Sequence, residues 1–252
     1  MALPEIERRQ QQQKEKKPII FLGPSLSHEK ARAIFPEADY RPPAKKGDLL
    51  RLAATLTTVN GQTVMVGLVD GVFLQDYPPT PIEVYQLAKK EGVLLAGAAS
   101  LGALRAVELE KFGMVGIGRV FNLYKSGRLD ADDEVAVTFA DGDFRLQSEA
   151  MVDIRYNLYL ARKKGAIDDA TKRALARVAK STYFPHRNYP DIVEQARRRH
   201  PELEKGLQAF SAYIAKNRKS LKEMDAIELV KFFRARWEQQ SNRKGEYGGS
   251  GS

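Results

Sequence analysis

Ser100 lies in the segment best suited to chemistry, Gly97-Ala-Ala-Ser-Leu-Gly102. The apolar run at 93–96 predicts a buried strand, and the spacing of Leu101 and Leu104 predicts a helix after it. The serine therefore stands where a strand turns sharply into a helix, whose free N–H groups and dipole favour an anion. A hydroxyl at such a turn can act as a nucleophile beside an oxyanion hole, or as one donor in an anion site.

A second interpretation of Ser100 stays open, because serine is also a common helix N-cap. The pattern is Ala-x-Ser-x-Gly and not the full Gly-x-Ser-x-Gly of hydrolase elbows. Gly102 allows another chain segment to approach the first helical turn, and we include it among the candidate substrate-binding residues.

Two more predicted strands end in polar residues. The run at 18–23 leads into Gly23-Pro24-Ser25, and the run at 63–70 ends at Asp70-Gly71. Because the carboxyl ends of parallel strands meet at one edge of a sheet, we expect Gly23, Ser25, Asp70, Gly71 and Ser100 to converge there. This edge is the predicted active site.

The elements between residues 18 and 147 predict an α/β domain built on a Rossmann-like open parallel sheet. Helices are expected at 27–34, 48–58, 81–90 and after Ser100, with an extended segment at 39–43. The segment 113–118 is glycine-rich and is predicted to be a flexible loop. Residues 135–139 and 144–146 flank Asp141-Gly142 and predict a hairpin at a sheet edge.

Composition divides the rest of the chain. Residues 1–17 predict a disordered basic, glutamine-rich arm, 148–240 an all-helical region of about five helices, and 241–252 a flexible tail resembling an artificial linker. Residues 1–150 contain 19 Lys/Arg and 20 Asp/Glu, whereas residues 151–252 contain 22 and 12. The positive charge of the helical region predicts an acidic partner.

Several classes of function are excluded or disfavoured by composition. The chain has no cysteine, which excludes disulfides and thiolate chemistry, and its three histidines are scattered, so we expect no metal site. No apolar run approaches about 18 residues and the N-terminus lacks an apolar core, so we expect a cytoplasmic protein without membrane contact. No Gly-x-Gly-x-x-Gly follows the first strand, which disfavours dinucleotide binding, and the absence of a P-loop motif argues against a P-loop nucleotide site. The basic residues are spread over several helices, which argues against nucleic acid as the partner.

Three other groups of residues are candidates, each with a plainer alternative. Arg105 can hold an anionic group over the pocket, or form an ordinary surface ion pair with Glu108. The cluster at 130–134, with Asp132 and Asp133, can supply a general base or attract a divalent cation, or it is a solvated acidic turn. His186 and Arg187 can reach a neighbouring site, or lie in a surface loop. We keep all of them as site candidates; their sequence context is given by Asp130-Ala-Asp-Asp-Glu134 and Tyr183-Phe-Pro-His-Arg187.

An ordered set of motifs resembles the core of the TfuA-like family over roughly residues 19–156. The motifs are Phe-Leu-Gly-Pro-Ser-Leu (21–26), Val-Asp-Gly-Val-Phe (69–73), Gly-Ala-Ala-Ser-Leu-Gly-Ala-Leu-Arg-Ala-Val-Glu-Leu (97–109), Phe-Gly-Met-Val-Gly-Ile-Gly (112–118) and Ala-Asp-Asp-Glu-Val-Ala-Val (131–137). Pro81 stands near the position of a histidine in the commoner form, while Glu83 matches the family's glutamate. This variant resembles the branch linked to glycine thioamidation in archaeal methyl-coenzyme M reductase.

The resemblance implies a role beside a YcaO-type enzyme, which activates a peptide amide with ATP. It points to hydrolysis of the C-terminal thiocarboxylate of a ubiquitin-like, ThiS-like sulfur carrier, with release of sulfide. In that chemistry Ser100 attacks or positions water, Asp70 or the cluster with Asp133 acts as base, and Arg105 holds the sulfur. Glu83 joins the substrate-binding set. No cofactor of the chain's own is expected, and the peptide substrate is a further partner. The alternative is a non-catalytic adaptor that binds YcaO and its peptide.

Overall fold

A five-stranded parallel sheet forms the centre of the molecule. The computed structural model describes residues 17–56, 63–73 and 76–248. Neighbouring strands are parallel and their order is β2-β1-β3-β4-β5. This architecture confirms the predicted α/β class with an open Rossmann-like sheet. The strands are β1 (Ile19–Phe21), β2 (Asp39–Arg41), β3 (Val64–Leu68), β4 (Val93–Ala98) and β5 (Val115–Ile117).

The strands differ in how clearly the sequence marks them. All residues of β3 are buried, as its continuous apolar run predicts for a central parallel strand. The prediction of a flexible loop at 113–118 was wrong, because this segment forms β5 and the start of the next helix. A Cβ atom at Gly116 would collide with the ring of Phe121, so only glycine fits at this position. Its role is therefore close packing, and not flexibility.

Short helices connect the strands and carry local capping motifs. They are α1 (His28–Ile34), α2 (Asp48–Thr55), α3 (Pro81–Ala88), α4 (Leu101–Leu109) and α5 (Gly118–Lys125). Ser27 caps α1 by accepting a hydrogen bond from Lys30 N–H. Thr80 and Glu83 form a reciprocal capping box on α3, which also has proline in its first turn. The predicted end of α2 at residue 58 lies outside the described residues.

The predicted hairpin turn is present, but the hairpin does not join the five-stranded sheet. Phe139 and Leu146 form an isolated antiparallel bridge on either side of Asp141-Gly142, and Ala140 N–H donates to Arg145 O at 2.9 Å. A 3-10 turn at Asp132–Glu134 precedes it, and Gly142 and Phe144 both have positive φ angles. This irregular segment packs over the end of β1, because the ring of Phe144 lies 3.2 Å from the Cβ position of Gly23.

The chain after residue 148 is helical, as its composition and spacing predict. Its helices are α6 (Met151–Lys163), α7 (Asp169–Ser181), α8 (Tyr189–Arg199), α9 (Glu204–Asn217) and α10 (Leu221–Gly248). The first four enclose a core of their own, which includes Met151, Leu158, Leu175, Ile192 and Phe210. This apolar core is separate from the two cores on the faces of the sheet.

Helix α10 returns to the sheet and covers one of its faces. Leu229 and Phe233 pack where a Cβ atom of Gly67 in β3 would lie, so the glycine brings helix and strand together. The predicted tail from residue 241 begins inside α10, while residues 249–252 and the arm at 1–16 lie outside the described residues. In the described part of the chain, no helix has both the length and the apolar character needed to span a bilayer.

Candidate functional site

The polar ends of β1 and β3 meet at the point where the strand order reverses. Open α/β sheets bind ligands at this switch point, outside the carboxyl ends of the strands. The hydroxyl of Ser25 donates to Oδ1 of Asp70 at 2.6 Å, and the N–H groups of Gly23 and Ser25 donate to Oδ2 at 2.9 Å each. The structure therefore brings together Gly23, Ser25 and Asp70 of the residues expected to converge. Asp70 is fully buried and fixes the loop after β1 against the end of β3.

The turn between β4 and α4 is strained immediately before Ser100. Ala99 has a φ of 65°, a left-handed conformation that a residue with a side chain seldom adopts. Ser100 follows at φ −118° and ψ −126°, and its side chain makes no cap hydrogen bond. The serine occupies the N-cap position without capping, and its hydroxyl has no partner among the described residues. It is 2% exposed.

Two glycines allow α4 to start this close to the sheet. A Cβ atom at Gly102 would collide with the carbonyl oxygen of Leu68, and one at Gly97 with the carbonyl oxygen of Gly102. The close approach expected at Gly102 is therefore present, but its N–H is already committed to Val69 O at 3.2 Å. In the part of the chain that is described, Leu101 N–H is the amide of this turn left to face a ligand.

Gly23, Ser25, Asp70 and Ser100 follow the carboxyl ends of β1, β3 and β4, and this edge of the sheet is the strand-end site. Lys222, which the sequence analysis missed, lies close enough to Asp70 for the two charges to interact. It comes from α10, is 2% exposed, and its Nζ donates to Val135 O at 2.8 Å. Burial lowers the pKa of its amine, and the nearby carboxylates of Asp70 and Asp153 only partly oppose this. A lysine with a depressed pKa can hold or release a proton near neutral pH.

The sequence contains one sign of this lysine. The buried face of α10 is otherwise apolar through Ala226, Leu229, Val230 and Phe233, yet Lys222 and Asp225 fall on it. Charged residues at apolar positions of a helix are seldom there for packing alone.

Asp225 shows what the second charge on this face does. Its carboxylate accepts the N–H groups of Arg119 at 3.0 Å and Val120 at 2.7 Å, which caps α5. Burial raises the pKa of Asp225 to about 6, although the two backbone hydrogen bonds act in the opposite direction. Gly118 leaves the space that the carboxylate fills.

Arg105, Glu108 and Glu83 have structural partners away from the strand-end site. Arg105 donates to both carboxylate oxygens of Glu108 at 2.8 Å and to Pro79 O at 3.2 Å, which is the ordinary ion pair of the plainer alternative. Glu83 accepts Gly47 N–H at 2.6 Å and serves the cap of α3. All three are engaged with partners within the protein in this structure.

The acidic turn, Asp132–Glu134, is neither a free base nor simply solvated. Asp133 binds Lys180 and Arg187 at 2.5 Å each, and Glu134 binds Arg155 at 2.8 Å. Burial raises the pKa of both carboxyls, but their cationic partners outweigh it and hold the two pKa values below the usual range. Asp132 is exposed. Within the described ranges, no group of three or more His, Cys, Asp or Glu residues is placed to hold a metal ion.

His186 and Arg187 lie next to each other but in different environments. The His186 ring is exposed and rests against Tyr183, with 6.0 Å between ring centroids, as expected of a surface loop. Arg187 is 1% exposed and donates to the carbonyls of Ala179, Thr182 and Asp133. It ties the acidic turn to α7, so neither residue belongs to the strand-end site.

Residues 70–188 match the family model described as TfuA-like protein. The matched segment begins at Asp70 and contains Ser100, the acidic turn and Arg187, whereas Ser25 and Lys222 lie outside it. No curated protein matches the chain.

Proposed function

Through residues 70–188 the chain belongs to the TfuA-like family, and from that premise we propose that it is a thiocarboxylate hydrolase serving peptide thioamidation. It hydrolyses the C-terminal thiocarboxylate of a ubiquitin-like, ThiS-like carrier and releases sulfide for a YcaO-type enzyme. The observation that carries the proposal is Ser100, an unpartnered hydroxyl held by a strained turn at the start of a helix. Strain retained at such a place is typical of functional sites.

The proposed reaction consumes one water molecule. Ser100 Oγ attacks the carbonyl carbon of the thiocarboxylate, and negative charge develops on the oxygen near Leu101 N–H and the helix dipole. The carbon–sulfur bond breaks, sulfide leaves, and an ester with Ser100 forms. Water then cleaves the ester to give the carboxylate and returns the hydroxyl to Ser100. No oxidant or reductant is needed.

Lys222 is the proposed proton acceptor. Burial lowers the pKa of its amine, which is the direction that a proton-accepting lysine requires, and lysine performs this task in serine–lysine catalytic pairs. Asp70 is a positioning residue in this scheme, because its carboxylate is already occupied by three hydrogen bonds from the loop after β1.

The positive helical region supports protein partners in this role. Residues 151–252 contain 22 Lys/Arg against 12 Asp/Glu, which favours association with an acidic carrier or YcaO-type enzyme. The small residues around Ser100 suit the thin glycine tail of a carrier. We place the activity in the cytoplasm because the YcaO partner uses ATP.

The test measures sulfide release from a thiocarboxylated ubiquitin-like carrier. Wild type is compared with Ser100→Ala and with Ser211→Ala, a control on the exposed side of α9. We expect Ser100→Ala to lose at least about 100-fold of the rate while its circular dichroism is unchanged, and the control to match wild type. Absence of sulfide from wild type, even with a YcaO enzyme and ATP, would overturn the hydrolase proposal.

One observation favours the adaptor as a second candidate. Ser100 is only 2% exposed and Asp70 is fully buried, so catalysis at Ser100 requires that the surrounding residues move to admit a substrate. A non-catalytic adaptor needs no such opening. It predicts that Ser100→Ala leaves thioamidation by the YcaO partner intact, while reversal of charges in the helical region abolishes it.

A further inference from the structure

A groove of about 790 Å³ lies between α5, α6 and the first turn of α10. Its lining is largely apolar and includes Leu123, Leu129, Val152 and Leu221. Tyr159 also lines it and is 49% exposed. Apolar side chains that are exposed singly do not form a concavity of this size, and a contiguous apolar concavity on a surface is typical of a binding site.

The charged residues that line this groove are all cations. Four cations line it, Arg119, Lys125, Arg128 and Arg155, and no carboxylate does. Lys125 and Arg155 are neutralised by neighbouring glutamates. The side chains of Arg119 and Arg128 are exposed and have no acidic partner among the described residues. Two guanidinium groups beside an apolar floor are therefore available for an acidic ligand.

We propose that this basic groove binds an acidic peptide segment of a partner protein that carries apolar side chains. Carboxylates pair with Arg119 and Arg128, and an apolar side chain fills the floor beside Leu123 and Tyr159. Arg119 lies in the first turn of α5 and Arg128 follows the end of the same helix, which suits several carboxylates along a chain. Tyrosine and arginine are also the residue types enriched at protein interfaces.

The groove also touches the helix that reaches the strand-end site. Leu221 lines the groove, and the next residue, Lys222, points to Val135 and toward Asp70. A bound segment therefore rests on the first turn of α10. The binding inference itself does not depend on the chemistry proposed for Ser100.

Fluorescence anisotropy of the full chain tests the proposal with defined peptide pools. One fluorescein-labelled dodecapeptide pool is randomised over Asp, Glu, Leu and Phe, a second over Asp, Glu and Ser, and a third over Ser, Leu and Phe. We expect saturable binding of the first pool with Kd below about 100 μM, and at least tenfold weaker binding of the other two. Binding should weaken as NaCl rises from about 0.05 to about 0.5 M.

Two double variants locate the binding. Arg119→Gln with Arg128→Gln removes both free guanidinium groups, and Arg173→Gln with Arg177→Gln removes the same charge from exposed positions on α7. We expect at least a tenfold loss of affinity in the first double variant and no change in the second, and Tyr159→Ala should also weaken binding. Equal loss in both double variants, no binding of the first pool, or groove-dependent binding of labelled single-stranded DNA in its place would each overturn the proposal.

Discussion

The acidic turn and the buried face of α10 both carry charged residues. The surroundings of the turn stabilise the charged forms of its carboxyls, whereas burial on α10 disfavours the charged forms of its residues. In the turn, Asp133 and Glu134 meet Lys180, Arg187 and Arg155, and the pKa of each carboxyl lies below the usual range. On α10, burial raises the pKa of Asp225 and lowers that of Lys222. The two α10 residues make no salt bridge to an opposite charge among the described residues.

This difference separates charges that are compensated by opposite charges from charges whose pKa values are displaced by burial. Paired ions lower the energy of the folded chain only through their partners, and breaking the pair leaves the other charge buried. Desolvated charges with displaced pKa values cost stability, and such groups cluster at functional sites. The sequence alone marks the acidic turn more strongly than α10, yet the charged groups that burial disfavours lie on α10.

The largest stability effect is expected from Arg187→Met. The change removes a buried guanidinium that donates to Oδ2 and the carbonyl of Asp133 and to two other carbonyls, and leaves Lys180 as the cation beside the Asp133 carboxylate. We expect the free energy of unfolding to fall by about 4 kcal/mol in urea denaturation. His186→Ala, at the exposed neighbour, should change it by less than about 0.5 kcal/mol. Similar small losses in both variants would show that the turn is not held by this arginine.

The pH dependence of stability should show the opposite character of α10. The folded pKa of Asp225 is about 6, above the ordinary value of 3.8, so the folded state binds more protons between these values. Stability contributed by this group is therefore lost as pH rises from about 4 to about 6, by about 3 kcal/mol. The check is the pH profile of unfolding for wild type minus that for Asp225→Asn. A difference that is flat over this range would contradict the assignment.

The role of Lys222 is tested by one substitution that removes its positive charge and one that keeps it. Lys222→Met removes the amine, and Lys222→Arg keeps a positive charge that cannot be released. If the lysine accepts a proton, both variants should lose about 100-fold of sulfide release, or about 2.7 kcal/mol. Lys219→Met, on the connection before α10, is the matched control and should retain activity. Full activity in Lys222→Arg would show that only the charge matters.

The sequence predicts the contacts that follow from a general rule of structure, and it does not predict those that depend on how particular elements pack. Ser25 and Asp70 are 45 residues apart, yet their meeting follows from the rule that parallel strands end at one edge. No comparable rule brings Lys222 to Val135, 87 residues away, because that contact depends on how α10 packs on the sheet. Strand β5 was missed because it is only three residues long and has a glycine at its centre, so its sequence shows no apolar run that would predict a strand.

The cationic partners of the acidic turn were missed because, like the contact of Lys222 with Val135, they depend on how distant elements pack together. Arg155 and Arg187 lie 21 and 54 residues from the carboxylates they bind, on a helix and a loop whose placement the sequence does not give. Without those partners, neighbouring acids are expected to raise one another's pKa. With them the direction reverses, so the interpretation of the turn as a base depended on the missing contacts.

The smallest predicted effect is also the one that contrasts the two regions most directly. Asp133→Asn should lower stability at pH 7 by about 1 kcal/mol, because its pair is about one-third exposed and water screens it. Its folded pKa is lowered, so this stability is present above the unfolded value of about 3.8 and is lost as pH falls through the folded pKa. The stability gap between wild type and Asp133→Asn should therefore close below about pH 4, while Asp130→Asn, at an exposed neighbour, shows no gap. The Asp225 difference changes at higher pH and with the opposite sign. If both differences moved in the same direction with pH, the distinction between paired and desolvated charge would not hold.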